Sequence, residues 1–147
     1  MQALAGVYAD MPAIDCRGLC SDSCFSMFAT PAEQKFIAEQ TGRTLPLLHA
    51  PPEPCPELTM LKRCGVWESR PFVCRLWGVT EAMACPYGCR PEDGFLSEAE
   101  AAGLMRRLAA LDGGEARMRR AMFEGADGRV QAVVASSAKG GGVVGGD

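Results

Sequence analysis

Eight cysteines dominate the chemistry open to this chain: Cys16, Cys20, Cys24, Cys55, Cys64, Cys74, Cys85 and Cys89. A thiol can ligate metal, act as a nucleophile or pair as a disulfide, and the redox compartment decides among these. The first ten residues carry neither a basic flank nor an apolar stretch of signal-peptide length, and no apolar run approaches the ~18 residues of a membrane span. The sequence therefore reads as cytoplasmic, where thiols stay reduced and metal ligation is the expected use. The density agrees, since eight cysteines in 147 residues fall below the roughly 8–10% of disulfide scaffolds.

Spacing narrows the metal. In Cys16-Arg-Gly-Leu-Cys20-Ser-Asp-Ser-Cys24 a helix would stack the thiols about 6 Å apart on one face. Thiolates around one zinc sit about 2.3 Å from the metal and so roughly 3.8 Å from each other, whereas the outer two would be some 12 Å apart on an ideal helix. Either the segment is a loop, or its cysteines serve more than one metal or a larger cluster. Gly18 and Ser21-Asp22-Ser23 favour a loop, which also frees backbone N–H groups to hydrogen-bond cluster sulfurs. Zinc suits the close pairs Cys16/Cys20 and Cys85/Cys89. Scattered all-cysteine sets such as Cys55, Cys64 and Cys74 suit iron–sulfur. The reading favours an iron–sulfur cluster, [4Fe–4S] first, with zinc as the alternative.

Arg70 and Arg75 bracket Cys74 and are the candidate cofactor-binding cations, offsetting thiolate charge and lowering the Cys74 pKa. The competing reading is ordinary ion pairing with Glu57 or Glu68. His49, the one histidine, reads more readily as a surface residue in a proline-rich loop than as a ligand. With no Gly-x-Ser-x-Gly and no glycine-rich phosphate loop, hydrolase and nucleotide-binding readings lack support, and no catalytic residue stands out. A formal charge of −3 and a pI near 5.2 give no electrostatic reason for nucleic-acid or anionic-membrane binding.

The elements that must position these residues are short. Thr30-Pro-Ala-Glu33 is a capping box with proline at the first helical position, predicting a helix Pro31–Thr41 that stops at Gly42. Ser97-Glu-Ala-Glu100 is a second box, opening a helix with Ala101, Leu104, Leu108 and Leu111 at helical spacing until Gly113-Gly114. A third helix is expected over residues 115–124. Between Leu45 and Gly94, prolines interrupt every candidate helix, so metal is the economical staple for that stretch. Val130 to Ala135 reads as a short strand or helical turn, and Lys139 to Asp147 as a flexible glycine-rich tail.

The second cysteine group carries a resemblance. Cys64-Gly-Val-Trp-Glu-Ser-Arg-Pro-Phe-Val-Cys74-Arg, after the early cluster and before Cys85-Pro-Tyr-Gly-Cys89, resembles the YkgJ-type cysteine-cluster family, described as a zinc- or iron-chelating domain. The match lies at Cys64, Glu68, Arg70, Pro71, Cys74 and Arg75, with Trp67 where that family usually has Tyr. It covers about half the chain, from Cys16 to Cys89. The family's early cluster ends in adjacent cysteines, whereas here Phe25 follows Cys24, a departure that predicts a lesser role for Cys24. The resemblance implies metal binding and specifies no reaction.

The expected fold is mainly α, small and irregular, with metal-organised cysteine-rich loops and a few short helices. Residues 1–95 form the cysteine-cluster module, 96–126 a helical pair packed on it, and 127–147 a turn-like segment and tail. The expected function is an iron–sulfur protein with a redox or electron-transfer role for a partner enzyme. The first alternative is a zinc-stabilised binding module without redox activity, and the weaker one is a metalloenzyme with the metal in its active site.

Overall fold

The computed structural model describes residues 2–24, 29–43 and 54–117, and both expected capping boxes form in it. Four α-helices are described: α1, Gln2–Ala9; α2, Pro31–Thr41; α3, Phe72–Leu76; and α4, Glu98–Leu111. Three single 3-10 turns (Ser21–Ser23, Trp67–Ser69 and Glu81–Met83) and three isolated β-bridges order much of the rest. The fold is mainly α and irregular, as expected, and no helix among the described residues is long and apolar enough to cross a membrane. His49, the strand or turn at 130–135 and the tail from Lys139 lie outside the described residues, as does all but 115–117 of the third expected helix. Those three residues are helical.

In α2, Thr30 Oγ1 accepts from the Glu33 N–H at 3.3 Å while Glu33 Oε2 accepts from the Thr30 N–H at 2.8 Å. The helix stops at Gly42, whose φ of 68° is left-handed, with its N–H bonded to the Ala38 carbonyl. Ser97 and Glu100 repeat the box at the start of α4. The two helices are tied where α4 ends and α2 begins, because Asp112 Oδ1 accepts from the Ala32 N–H at 3.0 Å.

The sequence pattern did not predict α1 or α3. Leu4 and Val7 of α1 are buried with Phe72 of α3 and Leu104 and Leu108 of α4 in one core. Arg107 bonds Asp10 at 2.5 Å beside it. A second small core, Ala29, Ile37 and Val66, packs α2 against the turn at Trp67–Ser69, with Phe36 touching both cores. The proline-broken stretch is thus less bare than expected. Pro71 cannot sit inside a helix, but with φ −57° it fits just ahead of one, and α3 starts directly after it.

Glu33 joins these parts. Only 1% exposed, it accepts from the Tyr8 hydroxyl at 2.8 Å and the Phe72 N–H at 2.5 Å as well as from Thr30. One carboxylate therefore holds the start of α2, the end of α1 and the start of α3. Burial pushes its pKa up, against the opposing pull of these hydrogen bonds.

Candidate metal centre

The cysteines arrive on loops that are fixed by backbone bonds. Residues 15–24 run irregularly, as expected, into the turn Ser21–Ser23, which Cys24 closes by donating its N–H to the Ser21 carbonyl at 3.0 Å. Cys55 donates its N–H to the Cys24 carbonyl at 3.2 Å, fastening two segments that are thirty-one residues apart in the chain. From Cys55 the chain turns back on itself. Leu58 bridges Cys64, and the Gly65 N–H bonds the Glu57 carbonyl at 2.7 Å, so Cys55 and Cys64 enter the same region. Glu57 pairs with Arg43 at 2.5 Å and not with either arginine beside Cys74.

Cys74, in α3, completes the wall. Six of the eight cysteines, Cys16, Cys20, Cys24, Cys55, Cys64 and Cys74, line one cavity of about 120 Å³ together with Trp67, Arg70 and Trp77. Cys24 belongs to this wall despite the departure at Phe25. A second pocket shares Cys16, Cys20, Cys24 and Cys64 and is lined also by Lys62 and Arg63. Cys85 and Cys89 lie beside this wall, closing their own turn through a Gly88 N–H to Cys85 carbonyl bond at 3.1 Å.

The thiol electrostatics correct one expectation. The Cys74 thiol is pushed up to about 12, chiefly by burial and then by the neighbouring Cys55, Cys64 and Cys24, with Arg70 pulling the other way. The expected lowering fails because Arg75 faces elsewhere. Its guanidinium stacks 4.0 Å over the Tyr8 ring and donates to the carbonyls of Arg70 and Glu68. Burial likewise raises Cys24, to about 11, as well as Cys20 and Cys64. Cys89 differs: hydrogen bonding from Arg17, by its backbone and then by its side chain, holds the thiol below its ordinary value.

Two polar groups on the cavity wall are orphaned. Trp77 Nε1 and Arg70 Nε are buried without a hydrogen-bond partner, a condition that costs about 1–3 kcal/mol for each group. The indole favours a thiolate at Cys20, and the Arg70 guanidinium favours thiolates at Cys64 and Cys74. Both donors suit an anionic, sulfur-rich occupant. Among the described residues, no three His, Cys, Asp or Glu side chains come together as a single-ion site.

Arg17 and the Trp77 Nε1–H are the site features that sequence reasoning missed. Arg17 directly follows Cys16, and that adjacency was the available signal. No family model, curated protein or solved structure matches this chain.

Proposed function

We propose that the chain is an iron–sulfur protein that carries electrons for a partner enzyme, with its thiolate ligands drawn from the wall of the cysteine cavity. The observation behind this reading is the convergence of six cysteines with two orphaned N–H donors on one cavity. A bound cluster supplies one-electron redox chemistry, and hydrogen bonds to its sulfurs set the potential. The chain's own contribution is to hold thiolates in a partly dry pocket and to direct the Trp77 and Arg70 donors at sulfur. The same reading aligns the chain with the YkgJ-type cysteine-cluster proteins and with a reducing compartment.

The test is anaerobic isolation followed by visible spectroscopy and analysis of iron, acid-labile sulfide and zinc. A broad visible absorption that bleaches on reduction is expected. A colourless protein containing zinc and no sulfide would overturn the redox reading in favour of a zinc-stabilised binding module. Chelation of the metal should also make the segment from Cys55 to Cys89 sensitive to protease, because its regular structure is confined to single turns and one five-residue helix.

A further inference from the structure

We propose that the eight cysteines divide into two adjacent four-thiolate metal sites, Cys24, Cys55, Cys64 and Cys74 in one and Cys16, Cys20, Cys85 and Cys89 in the other. The inference rests on the metal reading above and deepens it, since two neighbouring centres let an electron pass between them within one chain.

Backbone geometry separates the sets. In the first, the Cys55 N–H holds the Cys24 carbonyl at 3.2 Å, the Leu58 N–H holds the Cys55 carbonyl at 3.1 Å, and Leu58 bridges Cys64. Cys74 in α3 lines the same cavity as this group. In the second, an antiparallel bridge from Ile14 to Pro91 lays the segment entering Cys16 beside the segment leaving Cys89. Arg17 donates to the Tyr87 carbonyl, two residues before Cys89. Gly78 supplies the room: a Cβ there would stand 2.6 Å from Ile14 Cδ1 and 3.7 Å from Cys85 Cβ. Cys20, four residues after Cys16 on the same loop, closes the set.

The cations divide in the same way. Arg70 lines the cavity that holds Cys64 and Cys74, and Arg17 is bonded to the Tyr87 carbonyl between Cys85 and Cys89. The sets touch where Cys24 Sγ lies 4.0 Å from the Cys20 carbonyl oxygen, which explains why members of both line a single cavity.

The experiment counts metal in the full chain, isolated anaerobically, beside Cys74→Ala and Cys85→Ala, with circular dichroism as the check on folding. With [4Fe–4S] centres, about eight irons per chain are expected, and each variant should lose about half while keeping visible absorption. About four irons with no second metal and the spectrum of a single [4Fe–4S] centre would overturn the division, as would a Cys85→Ala protein that keeps full iron, whereas about four irons with the spectrum of [2Fe–2S] centres would support it. The unaltered chain alone decides if a variant fails to fold. About two zinc ions, or about four irons with one zinc, would support two sites. The all-zinc result would at the same time sink the iron–sulfur reading. One zinc ion, or no retained metal, would sink both.

Discussion

Replacing Glu33 removes one side chain and strips three donors at once. In Glu33→Ala the Thr30 N–H, the Phe72 N–H and the Tyr8 hydroxyl all lose their acceptor in a site that is 1% exposed. Each buried donor left unpaired costs about 1–3 kcal/mol, while removal of a buried carboxylate returns part of its desolvation penalty. A net loss of about 3–5 kcal/mol follows, a large share of the roughly 5–15 kcal/mol that holds a domain together. Glu33→Gln is milder. An amide oxygen in the Oε1 position still serves Phe72 and Tyr8, and only the Thr30 N–H faces an NH₂ in place of an oxygen, so about 1–2 kcal/mol is expected. Burial raises the folded pKa of Glu33 above its unfolded value. The folded state therefore holds the proton to higher pH than the unfolded state, and stability from this group falls as pH rises through that window. Urea unfolding at equal metal content, followed by circular dichroism across mildly acidic to neutral pH, measures all three effects. If Glu33→Ala costs less than about 1 kcal/mol, or if Glu33→Gln keeps the pH slope that this group contributes, the three-way tie is not what holds α1, α2 and α3 together.

Gly78→Ala combines a left-handed φ of 85° with a Cβ 2.6 Å from Ile14 Cδ1. It should cost about 1–3 kcal/mol and loosen metal held through Cys85, and an unchanged melting temperature with full metal content would refute the crowding argument. Truncation after Ala138 should leave the melting temperature unchanged, because the Gly-rich composition that follows offers little apolar surface to offset ordering entropy. A marked fall in the melting temperature would show that Val143 and Val144 dock on the fold.

Local chemistry was legible and distant partnership was not. The boxes at Thr30 and Ser97 each complete themselves within four residues, so α2 and α4 could be read directly. The first described helix, α1, buries only Leu4 and Val7, and the residues that cover them include Phe72, Leu104 and Leu108, far along the chain. Cys74 shows the same limit on a smaller scale. Arg75 is its neighbour in sequence, but consecutive helical residues point to different faces, and Arg75 turns to Tyr8. Meanwhile Arg17, distant in the chain, reaches Cys89. The cysteine types raised metal chemistry as an expectation. Their grouping depends on the Cys24–Cys55 bond and the Ile14–Pro91 bridge, which no spacing rule contains.

The pairing of α1 with α4 bears on how the chain is made. The ribosome releases α1 about ninety residues before α4, an interval of roughly 5–20 s at ordinary synthesis rates. Through that time every cysteine emerges while Leu4 and Val7 still lack Leu104 and Leu108 as partners. Closing so long a loop also makes this contact a slow one to form. Nascent chains thus expose the full set of thiols before α1 and α4 close their core, so the interval of synthesis is when those thiols are most open to chemistry.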